Sequence, residues 1–448
     1  MAHIPESELA IFAFSPDAVA AERRAEIEAH LGGCGSCRTT ADFFAVTEDD
    51  LMDVDVWEPT AGSATRDALF EYAARIANED AEADALLAPL LANPGKAAWT
   101  NLAAQRRFLS GGVVRRLNGA AHEIYADRPL DALTFADAAI SVAEALADDL
   151  YPANAIYEIR GTAWKERANA LMLLGDFAEA HASVTRAERA YQRLPFPGLG
   201  LACVELVRAA VLYQQQRLEE AAVTAKRAEI AFAHLGEDQR RMDAVFLRAS
   251  IRFETHDFGE AIEIFHELLH YGESIKDDVW IARASYAIGN CELERGNLDE
   301  ATRAYQRALV LLRARGPATD RVCTDWGIAR VFLRTGKYHE AIRALGKVVA
   351  KFEALGMITD AALADLDRAD ALLALGQATH IVDLATRRFR VFTEAGMLTG
   401  ALTAIAYIKE AAAAGELTPA AVQAVRTFLR RARRQPDLVF EPPPANLP

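Results

Sequence analysis

The sequence predicts an all-α fold in which a small head precedes a long stack of helical hairpins. The first observation is a repeated segment, Gly296-Asn297-Leu298-Asp299-Glu300-Ala301, whose first residue marks each unit. Markers at 175, 216, 256, 296, 336 and 376 are separated by 41, 40, 40, 40 and 40 residues. A fixed period of this size is typical of stacked helical hairpins. The second observation is the composition, because alanine, leucine, arginine and glutamate favour helix and β-branched runs are scarce.

The composition also limits the functions open to the chain. Its 448 residues carry a formal net charge of −15, which disfavours nucleic-acid binding by the surface as a whole. Five cysteines are an odd number and too few for a disulfide framework, as expected in a reducing compartment. No apolar segment reaches the roughly 18 residues of a transmembrane helix, and the first apolar run is too short for a signal peptide. We therefore expect a soluble, cytoplasmic protein with no membrane contact and no direct nucleic-acid partner.

Residues 1–60 form an acidic head. They contain thirteen acidic residues and three arginines, so they carry −10 (3 − 13) of the net charge of −15. The apolar spacing and a proline at the predicted first turn indicate a helix from about 16 to 31, with His30 at its end. The pair Gly32-Gly33 is expected to break this helix and turn the chain.

The head also carries the strongest chemical signal, His30 followed by Cys34-x2-Cys37. A CxxC alone is equally consistent with a redox pair, but a histidine four residues earlier on the same helical end favours zinc. With the upstream His3, two sulfurs and two imidazoles match the donor set of a tetrahedral structural zinc site. Asp42 or a water molecule is the alternative fourth ligand. A head of 60 residues with so few apolar side chains needs a staple of this kind.

The spacing of these residues resembles that of the zinc-binding anti-sigma fold. Twenty-six residues separate His3 from His30, three separate His30 from Cys34, and two separate Cys34 from Cys37. The resemblance covers about the first 50 to 60 residues and implies a small helical bundle that binds Zn²⁺ through these four side chains. It also implies a partner, an extracytoplasmic-function sigma factor, whose polymerase-binding surfaces the bundle covers. The chain departs from many members in lacking a membrane span after the head.

Residues 61–109 are predicted to be a linker and lead-in helices. An amphipathic pattern predicts a helix from Arg66 to Leu91, and a helical pattern resumes from Trp99 to Tyr125 with a break at Gly111-Gly112. In the resembled anti-sigma family a final helix often completes the grip on the partner, and Arg66 to Leu91 is a candidate for it. The alternative is a plain lead-in helix for the array.

Residues 110–415 are predicted to form an α-solenoid of about six to seven 40-residue repeats, which resembles a tetratricopeptide-repeat (TPR) array. Two helices of a hairpin approach closely only where side chains lack bulk, and small residues recur at two positions. Five residues after a marker stand Ala180, Ala221, Ala261, Ala301 and Ala341. Seven residues before a marker stand Ala168, Ala209, Ala249, Gly289, Ala329 and Ala369.

The TPR resemblance implies a concave groove that binds a protein or peptide. In that family the residue six positions before the marker usually faces the groove. The predicted groove residues are therefore Asn169, Ser250, Asn290, Arg330 and Asp370, with Ala210 in the remaining unit. An asparagine can hold a peptide backbone because its amide both donates and accepts hydrogen bonds. The alternative is that these positions are merely solvated.

One segment spells a protease motif. His266-Glu267-Leu268-Leu269-His270 matches the HExxH pattern of zinc proteases. Aligned on the repeat, Leu268 takes the buried position that Ala308 fills in the next unit, and no third ligand is evident nearby. We interpret the segment as an ordinary second helix of a hairpin.

The end of the chain is predicted to close the array. Thr418-Pro419 has the residues of a helix start, with threonine as the cap and proline in the first turn. A capping helix is therefore expected over 416–435, followed by a proline-rich, disordered tail over 436–448.

The sequence shows no glycine-rich phosphate loop, nucleophile elbow or paired carboxylates, so we do not expect an enzyme. It predicts a non-enzymatic cytoplasmic regulator, with a zinc-binding head that binds a sigma factor and a TPR array that binds a second protein or peptide. The alternative is a TPR scaffold for protein–protein interaction whose zinc is purely structural. A metalloprotease acting through His266, Glu267 and His270 is the hypothesis from the enzyme class.

Overall fold

The computed structural model describes most of the chain, and in the described part all regular structure is helical. It falls into two units, Met1–Ala77 and Asn78–Pro448. The described residues are 4–5, 8–9, 12, 19–34, 37–38, 41, 63–92, 99, 101–125, 128–147, 151–395, 397, 399–432 and 438–443.

In the first unit, helix α1 spans Ala21–Gly33. It differs from the predicted helix at both ends, because residues 19–20 are not helical and the glycine pair continues the helix instead of breaking it. The helix ends at Cys34, whose backbone is extended and whose N–H donates to the His30 carbonyl at 2.9 Å. A glycine costs an α-helix only about 1 kcal/mol, so the pair weakens the last turn without stopping it.

The lead-in segment also follows the prediction only in part. Helix α2 spans Ser63–Ala92 and confirms the predicted helix with slightly wider bounds. The expected helix after Trp99 is instead two short 3-10 turns, Leu102–Ala104 and Arg106–Phe108. The predicted break at Gly111-Gly112 is the start of the next helix, which Ser110 caps. A Cβ at Gly112 would collide with the Glu79 carbonyl, so glycine is required where these helices cross.

The array that follows is a series of antiparallel helical hairpins. Within the array, consecutive helices pack against each other and most first helices also pack against the next first helix, as in a TPR-like solenoid. Its helices are α3 Gly111–Ile124, α4 Pro129–Ala145, α5 Ala153–Leu174, α6 Phe177–Tyr191, α7 Gly198–Gln214, α8 Leu218–His234, α9 Asp238–Glu254, α10 Phe258–Ile275, α11 Asp278–Arg295, α12 Leu298–Arg315, α13 Ala318–Arg334, α14 Tyr338–Ala354, α15 Ile358–Ala374, α16 Ala378–Glu394, α17 Thr399–Ala414 and α18 Pro419–Ala432.

The marker positions have a common backbone role. All six lie at the end of a first helix with a left-handed backbone, φ between 62° and 84°. Four markers are glycines, which adopt this conformation readily, but Gln216 and His256 adopt it at φ 62°. The conformation turns the chain sharply into the second helix, which explains why the period is so regular.

The small residues occupy the predicted crossings. The alanines five residues after each marker are fully buried, and so are the small residues seven residues before it. At Gly289 a Cβ would lie 2.7 Å from the buried Tyr305 ring, and at Gly327 the same ring blocks a side chain. These contacts fix how closely the hairpins approach one another.

The last helix, α18, begins as predicted, since the Thr418 hydroxyl accepts the Ala421 N–H at 3.2 Å. It packs against α17 and also against α15, a first helix. The following segment differs from the expected disordered tail, because residues 438–443 are described and Phe440 is buried. The Phe440 ring lies 5.1 Å from Phe428 of α18 and 5.6 Å from Tyr407 of α17.

Candidate metal centre and concave cavity

Three of the predicted metal ligands come together in the first unit. His30 lies in the last turn of α1, Cys34 ends that helix, and Cys37 is in helical conformation. One ring nitrogen of His30 and the two sulfurs all lie within 4.8 Å of one another. Among the described residues this is the only group of three or more such side chains. The predicted His3 and its alternative Asp42 lie outside the described residues, so the fourth ligand stays a prediction.

The chemistry of these side chains fits a zinc ion. The Nε2 atom of His30 is buried and has no hydrogen-bond partner in the described part, and a buried ring nitrogen of this kind needs a ligand. Burial raises the pKa of the Cys37 thiol, although a backbone hydrogen bond with Ile4 opposes the shift. A buried thiolate therefore needs a cation beside it, and sulfur with imidazole is the donor set that zinc prefers.

The surroundings hold the ligands in place. Arg38, one residue after Cys37, donates to the carbonyls of Leu31 and Gly32 at 3.0 Å each, and so closes the end of α1 over the ligand group. Sequence reasoning missed this cap. A basic residue just after a helix end is the signal that could have indicated it.

A cavity of about 630 Å³ lies among the first helices of the array, and we call it the concave cavity because the TPR resemblance places a groove there. Its walls are aromatic, apolar and charged side chains from first helices, from the turn into α10 and from α18. They are Met172, Leu173, Gln214, Phe253, Glu254, His256, Phe258, Tyr286, Asn290, Glu294, Trp326, Gly327, Arg330, Asp360, Leu363, Gln423 and Arg430.

Two of the predicted groove residues line this cavity. The Asn290 amide oxygen accepts a hydrogen bond from the Tyr305 hydroxyl at 2.8 Å. Arg330 pairs with Glu294 at 2.6 Å and lies 3.9 Å from Asp367. Both side chains are therefore part of the cavity wall and at the same time bonded to neighbouring residues of the array.

The other three predicted groove residues do not line it. Asn169 is buried and donates to Glu166 at 3.0 Å, which is an internal contact within α5. The Ser250 hydroxyl donates to the Phe246 carbonyl at 2.9 Å along its own helix. Asp370 forms an ion pair with Arg426 of α18.

Helix α18 supplies cavity residues that the sequence reasoning missed. Gln423 and Arg430 lie in the wall, and Arg426 forms ion pairs with Asp370 and, at 3.1 Å, with Asp367. Burial lowers the pKa of Arg430, and the nearby Arg330 charge lowers it further. The sequence showed a cationic helix end here, but not which first helices it faces.

The HExxH segment lies on the surface of α10. His266, Glu267 and His270 are exposed, whereas Leu268 is fully buried as predicted. The Glu267 carboxylate lies 3.9 Å from Arg241 and 3.9 Å from Arg248. These contacts are those of an ordinary second helix.

No protein-family model matches the chain, and no curated protein matches it. No helix in the described part is long and apolar enough to span a bilayer.

The array resembles solved helical-repeat structures. A signal-transduction ATPase with a tetratricopeptide repeat sensor from Pyrococcus horikoshii matches at 14% identity and a TM-score of 0.47, over 72% of this chain and 48% of that one. A Rap protein in complex with competence and sporulation factor matches at 14% identity and a TM-score of 0.44, over 72% of this chain and 99% of that one. Aspartyl phosphate phosphatase F from Bacillus subtilis matches at 12% identity and a TM-score of 0.42, over 83% of this chain and 96% of that one. Likeness at this identity concerns the fold alone.

Proposed function

We propose that the chain is a non-enzymatic cytoplasmic regulator whose zinc-stapled head binds an extracytoplasmic-function sigma factor. The observation that carries the proposal is the grouping of His30, Cys34 and Cys37 within 4.8 Å. Zinc bound there would hold the end of α1 against the next turn and stabilise the head. His3 is the proposed fourth ligand, on the resemblance to the anti-sigma fold.

The electrostatics of the head support a basic partner. Residues 1–60 carry a net charge of −10, which accelerates association with a positively charged surface. The thiols suit a reducing compartment, since no disulfide joins any of the five cysteines.

The array is proposed to bind a second protein or peptide in the concave cavity. Asn290 offers an amide and Arg330 a cation, and Tyr286 and Trp326 provide apolar surface between them. About half of the residues that line the cavity are polar or charged, so a peptide could bind there both by hydrogen bonds and by apolar contact.

A pull-down with the zinc-loaded full chain tests the head. The bait is compared with a Cys34→Ala/Cys37→Ala variant and an Asn290→Ala/Arg330→Ala variant, against the purified sigma factor encoded beside the gene. The head variant should bind at least about tenfold more weakly, while the cavity variant should bind normally. A zinc-loaded chain that does not capture the sigma factor would contradict the proposal.

The second candidate is a scaffold in which zinc is purely structural and all recognition lies in the array. The cavity of about 630 Å³ favours it, because that site needs no contribution from the head. The same variants separate the two functions. A scaffold keeps its partners when Cys34 and Cys37 are replaced and loses them when Asn290 and Arg330 are replaced.

A further inference from the structure

A group of arginines on the hairpin of α5 and α6 shares no residue with the metal ligands or with the lining of the concave cavity. We call it the arginine patch and define it as Arg160, Arg186, Arg189 and Arg193 with Tyr157 and Trp164, which together line a depression of about 350 Å³. Tyr157, Arg160 and Trp164 recur every three to four residues on α5, Arg186 and Arg189 lie three residues apart on α6, and Arg193 lies in the turn that follows α6. Residues at this spacing share one helix face, so the patch is formed by two faces that meet.

The patch differs from the other arginines of the array in its partners. Arg167 of α5 and, in the following repeats, Arg208 and Arg248 each pair with a carboxylate at 2.7 to 2.9 Å. In the described part of the chain, no carboxylate lies within ion-pair distance of the exposed Arg186, Arg189 or Arg193. These three cations therefore have no carboxylate partner among the described residues, in a protein whose net charge is −15.

Two aromatic rings hold the guanidinium groups in position. The Arg186 guanidinium lies 4.5 Å from the centroid of the Trp164 ring. That of Arg193 lies 5.1 Å from the Tyr157 ring and donates to its hydroxyl at 3.2 Å. Cation–π contact orders the side chain but leaves most of its N–H donors unused. Because these side chains are already ordered, they lose less conformational entropy when an anion binds.

We infer that the arginine patch binds an acidic segment of a partner protein, through carboxylates placed against Arg186, Arg189 and Arg193. Guanidinium groups bind carboxylates through paired hydrogen bonds, which suits exposed cations held by aromatic rings. The site requires neither the metal centre nor the cavity, so it goes beyond the proposed function.

Three features favour an acidic peptide over nucleic acid. Single-stranded nucleic acid binds by stacking its bases on aromatic rings, but arginines already cover Trp164 and Tyr157 here. The carboxylate of Glu144 also lines the depression, 3.9 Å from Arg160. The evenly spaced phosphates of a nucleic acid would be repelled by the Glu144 carboxylate, whereas a peptide can place a neutral residue beside it. The net charge of −15 finally repels a long polyanion more than a short acidic segment.

Fluorescence anisotropy with the full chain tests this inference. The probe is a fluorescein-labelled peptide of about fifteen residues in which glutamates alternate with alanine and leucine, at about 0.15 M salt. The variant Arg186→Gln/Arg189→Gln/Arg193→Gln should raise the Kd of this peptide about tenfold or more. A triple Arg→Lys variant at the same positions should give an intermediate Kd, because lysine keeps the charge but loses the paired hydrogen bonds.

The matched control is Arg217→Gln/Arg240→Gln/Arg303→Gln. It also removes three positive charges, but from exposed arginines outside the patch that pair with Glu220, Glu237 and Glu300. It should change the Kd by about twofold or less. Equal weakening by both triple variants, equal binding of a peptide with glutamine in place of glutamate, or no binding up to about 1 mM peptide would each overturn the inference. So would a single-stranded oligonucleotide of the same charge that binds the patch more tightly than the peptide.

Discussion

The head and the array achieve their stability by opposite means. In the described part of the head, the buried apolar side chains are only those of Leu9, Ile27, Cys37 and Ala41. In the array, every repeat buries its own set of side chains and shares it with the next repeat. The stability of a solenoid is therefore distributed over many similar interfaces, whereas that of the head is concentrated in one ligand group.

The cysteines show the same contrast. Cys34 and Cys37 lie beside an imidazole with sulfur and nitrogen in reach of one ion. In the array, Cys291 is fully buried, and burial raises its pKa to about 12. Burial also raises the pKa of Cys203. Cys291 thus behaves as a small apolar residue, whereas Cys203 and Cys323 are partly buried, and among the described residues only the pair in the head lies in a group of metal-ligating side chains.

The largest effect is expected when the head loses its metal. A chelator, or the variant Cys34→Ser/Cys37→Ser, should unfold the head and leave the array folded, because structural zinc contributes about 10 kcal/mol or more to small domains. Limited proteolysis should then cut residues 1–60 at least about tenfold faster, with little change in helical circular dichroism.

The control for this experiment is Cys203→Ser, which changes a cysteine of the array and should leave the zinc content at one ion per chain. Purified wild-type chain without stoichiometric zinc would contradict the metal centre. Zinc loss that destabilises head and array equally would contradict the division between the two regions.

The next largest effect concerns the most polar point of the array core. Arg388 of α16 is fully buried and bonds to Asp365 at 3.0 and 2.5 Å and to Glu353 at 2.9 Å. Arg388→Met should lower the free energy of unfolding by about 3–5 kcal/mol, because it leaves the buried Asp365 carboxylate without its main partner. Urea unfolding followed by circular dichroism measures this loss.

Two variants show whether the cost of Arg388→Met comes from the stranded charge. Arg388→Met/Asp365→Ala should recover much of the loss. The neighbouring Arg387 is half-exposed and lies 3.6 Å from Asp365, so Arg387→Met should cost about 1 kcal/mol or less. Equal losses for Arg387→Met and Arg388→Met would show that the buried Arg388–Asp365 ion pair is not the cause of the lower free energy of unfolding.

The array was predictable because its sequence signals are local. The signals are the marker itself, the large apolar residue that follows it and the alanine at the crossing. All of them lie within about six positions. They recur often enough to reveal the period even where Gln216 or His256 replaces glycine. The grouping of His30 with the two cysteines was predictable for the same reason, since all three lie within eight residues.

Contacts between distant elements were not predictable in this way. The period places Asn169, Asn290 and Asp370 on one face of their helices, but it cannot show that Asn169 turns toward Glu166 or that Asp370 meets Arg426. The pairing of Asp370 depends on α18 packing against α15, a contact that no repeat pattern specifies. The arginine patch was missed because cation–π contacts between α5 and α6 depend on the rotation of both helices.

A smaller effect is expected at a marker that is not glycine. Gln216 has φ 62°, whereas Gln215 just before it has φ −73°. Gln216→Gly should stabilise the array by about 1 kcal/mol, because glycine adopts the left-handed conformation without strain. Gln215→Gly is the matched control and should destabilise by up to about 1 kcal/mol. Thermal unfolding measures both, and a Gln216→Gly variant less stable than wild type would disprove the backbone role of the marker.

The smallest effect is a pH dependence at a contact between α3 and α5. The His122 ring bonds to the buried Glu166 carboxylate at 3.2 Å, and this hydrogen bond raises the pKa of His122. Burial raises the pKa of Glu166, but His122 and Lys165 outweigh it and lower that pKa to about 2. The contribution of Glu166 is therefore present above about pH 4.5 and is lost toward pH 2. That of His122 is fully present below about pH 6.5 and is lost as pH rises through its raised pKa.

His122→Ala should therefore cost more stability at pH 5.5 than at pH 8.5. The difference should be about 0.5 kcal/mol, because the His122 side chain is 62% exposed and solvent screens its charge. His122→Gln is the control, since it keeps a neutral donor and should match wild type at the higher pH only. Urea unfolding at both pH values gives the two differences. If His122→Gln matched wild type at both pH values, the pair would be a neutral hydrogen bond, and the charge of His122 would contribute nothing to the stability of the array.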